Sequence, residues 1–181
     1  MDELNRKINS NNEDEREEGP LDNDGTEDIW EAAAKGSLKG VKYHLALDPS
    51  NLNKNHVESG SPLHWASNEG HFEIVKYLLS KSALVDPKNK GNQTPLILAC
   101  HRGHVSIVNL LLDKGADINN LDINRNTPLI FAIYGNYLNV VKLLIQRGAD
   151  RTIKNNRGDT PLQYAIHFKG RTSIVNYLRS F

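Results

Sequence analysis

Seven histidines and one cysteine are the residues of this 181-residue chain whose chemistry first asks for an explanation. His101 and His104 stand three apart, and His64 and His71 seven apart. No Cys/His set has the spacing a zinc site needs, so no metal is expected. Cys100 adjoins His101 in sequence, but consecutive residues of a helix point in different directions. A nucleophilic thiol also needs an open, electropositive setting and a base aimed at it. Cys100 therefore reads as a small buried apolar residue. Neither G-x-x-x-x-G-K-S/T nor G-x-G-x-x-G occurs, which removes two common phosphate cradles. Glu69, Glu73, Asp113, Asp117 and Asp150 are scattered acids that read as a solvated surface. No constellation supports catalysis, so no enzymatic activity and no cofactor are expected.

The elements that carry these residues repeat. Ser61-Pro62-Leu63-His64, Thr94-Pro95-Leu96-Ile97, Thr127-Pro128-Leu129-Ile130 and Thr160-Pro161-Leu162-Gln163 begin at positions 61, 94, 127 and 160, a spacing of 33 each time. An alanine follows each two residues later, at Ala66, Ala99, Ala132 and Ala165. A turn and an apolar segment come next, such as Ile107-Val108-Asn109-Leu110-Leu111-Leu112. A hydroxyl residue before proline starts a helix: the hydroxyl caps free N–H groups, and proline tolerates the first helical position. The second segment has apolar residues at i, i+1, i+4 and i+5, one broad helical face that a single repeat cannot bury. A degenerate first copy carries Ile29, Ala32 and Val41-Lys42-Tyr43-His44-Leu45. Gly70 and Gly103 mark the turn between helices, Asn136 replaces glycine there in the fourth copy, and the fifth copy has one extra residue near Phe168-Lys169-Gly170. Gly40, His44 and Arg179 interrupt apolar slots at the two ends, as caps would, and the array reads as a complete small solenoid.

This pattern resembles the ankyrin repeat, with its Thr-Pro-Leu-His box, its Gly-His turn at His71 and His104, and its Gly-Ala-Asp ending at residues 115–117 and 148–150. The resemblance implies an all-α solenoid of paired antiparallel helices with hairpin-like connecting loops. It covers residues 26–181, in repeats of about 26–57, 58–90, 91–123, 124–156 and 157–181. In the box, His64 is expected to bond the Ser61 hydroxyl and stitch repeats together, a bond that Ile97, Ile130 and Gln163 are expected to lack. The resemblance also implies a protein-binding module that uses its concave face and hairpin tips. Carried onto this chain, the tips hold Lys88, Lys90, Gln93, Arg125, Asn126, Arg157 and Asp159. The ends of the first helices hold Asn68, Glu69, His101, Arg102, Tyr134, His167 and Phe168. Tyr134 and Phe168 with Arg102 and Arg125 have the chemistry of a binding hot spot, although Phe168 has a second reading as packing for the irregular fifth turn. The tips lean basic, which suits a partner with acidic and apolar character. Leu111, Asp117, Ile118 and Asn119 resemble the pattern used by asparaginyl hydroxylases, with Asn119 as acceptor.

Charge is divided unevenly along the chain. Residues 1–28 hold eleven acids and three bases, a net −8, and the formal total is zero, so the remainder carries +8. Residues 1–25 are poor in large apolar side chains and are expected to be a disordered acidic tail. Three roles suit such a tail: screening the basic face, holding a basic partner such as a ribosomal or nucleic-acid-binding protein, or keeping the chain in solution. Nucleic-acid binding by the solenoid is a weaker reading, because no recognition motif accompanies the modest charge. A lone cysteine and an acidic, polar N-terminus point to a reducing compartment, cytoplasm or nucleus, and no membrane contact is expected. Capped ends imply a monomer.

Overall fold

The computed structural model describes residues 28–56 and 58–181. Among them are ten α-helices in five antiparallel pairs and one isolated β-bridge, between His56 and Gly60. The pairs are α1 (Ile29–Lys35) with α2 (Leu38–Leu47), α3 (Pro62–Glu69) with α4 (Phe72–Ser80), α5 (Pro95–Arg102) with α6 (Val105–Asp113), α7 (Pro128–Tyr134) with α8 (Leu138–Gln146), and α9 (Pro161–His167) with α10 (Thr172–Arg179). A short 3₁₀ turn, Pro49–Asn53, follows α2. The all-α paired-helix architecture expected from the 33-residue period is the one observed. The acidic segment 1–25 expected to be disordered lies outside the described residues.

Each inner helix begins as its box dictates. The Oγ1 atoms of Thr94, Thr127 and Thr160 accept the N–H groups of Ile97, Ile130 and Gln163, each at 3.3 Å, and proline occupies the first turn. The box bond expected to be absent in the fifth repeat is present. Gln163 Oε1 accepts the Thr160 N–H at 2.9 Å and the Thr160 hydroxyl at 3.0 Å. A side-chain amide supplies the same acceptor as the His64 imidazole, so only Ile97 and Ile130 break the pattern.

Ala66, Ala99, Ala132 and Ala165 are wholly buried between neighbouring inner helices. Their small side chains let α3, α5 and α7 approach one another more closely than α4, α6 and α8 do. On the outer helices Ile107, Val108 and Leu111 are buried while Leu112 is half-buried, so the apolar face is narrower than the sequence pattern suggests. At the ends Gly40 is buried, His44 half-buried and Arg179 exposed.

Turns join the layers. Gly70 and Gly103 adopt φ of +86° and +80°, and each lies against the aromatic side chain that the next repeat puts at the turn, His104 or Tyr137. Asn136 takes the left-handed conformation in the fourth repeat at φ +61°, as expected of the residue type that best replaces glycine there. The fifth turn departs as its extra residue requires: Phe168 is extended, and Gly170 carries the positive φ. At the hairpin tips Arg125 has φ +59°, the slot that Gly158 fills one repeat later. An L-residue pays about 1–2 kcal/mol there, and glycine gives back part of that as chain entropy. Arg125→Gly is therefore expected to leave stability unchanged or raise it by up to about 1 kcal/mol in urea unfolding; a loss larger than about 0.5 kcal/mol would show that the Arg125 side chain is holding the tip.

Candidate partner-binding face

Three sets of side chains stitch the repeats and so define which residues are left for other work. His71 Nε2 lies 2.8 Å from the Ala34 carbonyl and His104 Nε2 2.9 Å from that of Asn68, so each imidazole caps the end of the preceding inner helix. Arg171 does this in the fifth repeat, its Nε donating to the Ile133 carbonyl at 2.7 Å. Asn53, Asp86 and Asn119, 33 apart, each accept a backbone N–H of the next repeat, from Leu84, Asp117 and Asp150, at 2.8–2.9 Å. Asn89, Asp122 and Asn155, also 33 apart, fold the tips: Asp122 Oδ1 takes the N–H groups of Asn124 and Asn126 at 2.9 and 2.7 Å. Asn119, the candidate modification site, is thus half-buried in a staple that has to open before an enzyme reaches it.

His64 is the most constrained of the histidines. It is wholly buried. Its Nδ1 accepts the Ser61 N–H at 3.0 Å and lies 3.0 Å from the Ser61 hydroxyl, while its Nε2 lies 3.0 Å from the Gln93 carbonyl of the next repeat. An accepting Nδ1 requires the neutral tautomer with its proton on Nε2. Burial pushes the imidazole pKa down to about 4. The stitch between repeats expected of this residue is the Nε2–Gln93 bond. The Nε2 atoms of His64, His71 and His104 all face backbone carbonyls, and no group of three metal-ligating side chains occurs among the described residues.

Cys100 is buried at the centre of α5, and burial raises its thiol pKa far above the ordinary range. A folded sample at pH 8 is expected to give no reaction with a thiol-specific chromogenic disulfide, and one equivalent after denaturation. Rapid reaction of the native protein would show that α5 opens.

Ring side chains of the inner helices and their ends form a chain of contacts. His101 packs against Phe131 and Tyr134, with ring centroids at 5.7 and 5.4 Å; Tyr134 meets Phe168 at 6.4 Å, and Phe168 meets Tyr164 at 4.9 Å. The Arg171 guanidinium lies over the Phe168 ring at 4.7 Å. Phe168 therefore does both things its position suggests: it packs on the fifth turn and extends an aromatic ladder across three repeats. Tyr134 is 50 % exposed. Burial, and then the charge of Arg102, lower the His101 pKa, so its ring is neutral and aromatic in character. Arg102 is exposed, with its Nε donating to Asn68 Oδ1 at 3.3 Å.

Of the tip residues, Arg125 and Arg157 are exposed and form no ion pair among the described residues. Lys88 is likewise exposed. Lys90 is bound to Glu58 at 2.7 Å, which offsets its charge. Asp159 Oδ2 stands 3.5 Å from His167 Nδ1. Gln93 and Asn126 are half-buried and tied into their own hairpins through Asn89 and Asp122.

One lane of the face is absent from the sequence reading. Trp65, Leu98, Phe131 and Tyr164 stand 33 apart, one residue beyond each box, and all are half-buried on the open side of the inner helices. The repeated apolar type at that position was the available signal. Trp65 and Leu98 line a cleft of ≈ 260 Å³ with Glu58, Ser59, His64, Asn68 and Asn89. The buried Trp65 Nε1 has no hydrogen-bond partner among the described residues. A second cleft of ≈ 240 Å³ lies between Tyr164, Arg157 and the tip asparagines 124, 126, 155 and 156.

Comparison with known proteins agrees with the repeat architecture. Residues 29–122 match the family described as ankyrin repeats (3 copies), and residues 111–165 the one described as ankyrin repeats (many copies). Curated relatives include scaffold protein ILK of Homo sapiens, 34% identical over 68 residues, which is 38% of this chain and 15% of ILK. Another is the transient receptor potential cation channel subfamily A member 1 homolog of Caenorhabditis elegans, 33% identical over 66 residues, 36% of this chain and 6% of that protein. The matched stretch thus spans a small fraction of either relative's length.

Proposed function

The chain belongs to the ankyrin-repeat family, and from that premise we propose that it works as an adaptor, inhibitor or assembly chaperone by holding a protein partner against its inner-helix face. Ankyrin repeats and the scaffold relative support an interaction module without enzymatic activity. The observation that carries the site is the ladder His101, Phe131, Tyr134, Tyr164 and Phe168, which is partly open and whose side chains make none of the hydrogen bonds that stitch the repeats. Tyrosine, tryptophan and arginine around a desolvated centre are the composition of binding hot spots. Arg102, Arg125 and Arg157 are exposed on the same three repeats as the ladder, which favours a partner segment with apolar side chains flanked by acids. No helix among the described residues is long and apolar enough to cross a membrane. The lone buried Cys100 favours placement in the cytoplasm or nucleus.

The test is capture from native lysate with two baits: the wild type, and a variant with Arg102, Arg125, Tyr134 and Phe168 changed to Ala. Equal helical circular dichroism is the entry condition. A protein held by the wild type and reduced at least tenfold on the variant supports the reading. Equal retention of the same proteins by both baits places binding elsewhere and defeats it.

A further inference from the structure

Charge is unequal along the repeat array. Near α3 it carries Glu58 and Glu69, whereas residues 91–181 hold eleven bases against five acids and contain no glutamate. Arg102, Arg125 and Arg157 stand exposed along that second half, one in each of the repeats that carry His101, Tyr134 and Phe168. The same chain supplies a complement: Glu13, Asp14, Glu15, Glu17 and Glu18 form its densest acidic run.

Length permits the two to meet. The run lies 10–15 residues before Asp28, the cap of α1. An extended chain of that length reaches at most about 33–54 Å. Packed helices lie about 8–10 Å apart, so α5 stands roughly 16–20 Å from α1 and α9 roughly 32–40 Å. Near α3 Glu58 and Lys90 neutralise each other and exposed Glu69 repels acids, while the region from α5 to α9 attracts them.

We infer that the acidic run of residues 13–18 docks in the chain's own inner-helix groove, on the Arg102–Arg125–Arg157 rim, and competes there with the acidic partner segment. This rests on the reading of that groove as the partner-binding face. Tethering gives the run an effective concentration in the millimolar range, so weak ionic contacts suffice to occupy the groove. A partner's apparent affinity falls by the fraction of groove left open. The device sets a threshold: only a partner with apolar anchors for Tyr134 and Phe168, which the run lacks, displaces it.

The test places a nitroxide on an Asn12→Cys variant of the full chain and reads paramagnetic broadening of backbone amides. Buried Cys100 is expected to take up no label, which a wild-type control checks. The proposal expects at least twofold loss of signal for amides around Arg102, Arg125 and Arg157. The signal recovers in 1 M NaCl, where the screening length is about 3 Å, and also when the five acids are changed to Gln or Asn. Broadening confined to α1 and α2, broadening over the outer helices around Lys76 and Lys142, or broadening indifferent to salt and to the acids overturns it. Because no partner is present, such a failure leaves the groove's own role to be decided by the two-bait capture.

Discussion

Between pH 7 and pH 4.5 the folded chain is expected to lose roughly 2–3 kcal/mol of stability through one residue, His64, and a His64→Gln variant is expected to lose far less. The buried imidazole titrates at about 4, below its ordinary value of 6.5. The unfolded chain therefore takes the proton first as pH falls, and protonation favours unfolding. The contribution is complete above pH 6.5 and disappears as pH drops toward 4, a full span on the order of 3 kcal/mol. The cause is geometric as well as dielectric. A second ring proton on Nδ1 would face the Ser61 N–H, which that nitrogen now accepts at 3.0 Å. Gln163 shows that an amide at this slot keeps the box bonds without titrating. The variant gives up the Nε2 bond to Gln93, about 1 kcal/mol at neutral pH. What acid loss remains in it belongs chiefly to His101, whose pKa is also lowered by burial. Urea unfolding at pH 7 and 4.5 on both proteins decides the matter; equal losses would mean that His64 is not the acid-sensitive group.

Gly70→Ala is expected to cost about 2–3 kcal/mol, through two separable terms. At φ +86° any L-residue is strained by about 1–2 kcal/mol. The added Cβ would also fall 2.6 Å from His104 Cε1. It therefore pushes the imidazole off the Asn68 carbonyl, a hydrogen bond contributing about 1 kcal/mol. A double-mutant cycle separates the terms. In a His104→Ala background Gly70→Ala should cost only the strain, so the two substitutions couple by about 1 kcal/mol. Simple additivity would mean that the imidazole moves aside without losing its bond, and that the turn glycine answers to backbone conformation alone.

These two cases show what could be read in advance. Helix starts, turn positions and the buried alanines follow from local rules acting within one 33-residue unit, and the period multiplied each signal four times. The hidden features involve partners a full repeat away. Asn119 looks like any loop asparagine until the Asp150 N–H, 31 residues on, is found on its Oδ1. Lys90 looks like a free tip charge until Glu58 is found beside it. Gln163 was passed over because the box was judged by its histidine rather than by the acceptor atom that the site requires. The lane of Trp65, Leu98, Phe131 and Tyr164 went unread because apolar residues one step past the box look like core. Only their half-burial, and the cleft that Trp65 and Leu98 line, show that they border an open face.

The central claim is that the inner-helix face, not the outer one, holds the partner. The most direct measurement is the affinity of the captured partner for two variants, Tyr134→Ala on the inner side and Lys76→Ala/Lys142→Ala on the outer helices, all three side chains being exposed in the folded chain. The account expects Tyr134→Ala to weaken binding at least 30-fold, the hot-spot threshold of about 2 kcal/mol, and the outer pair to change it less than twofold. A large loss on the outer pair with Tyr134→Ala unchanged would contradict it.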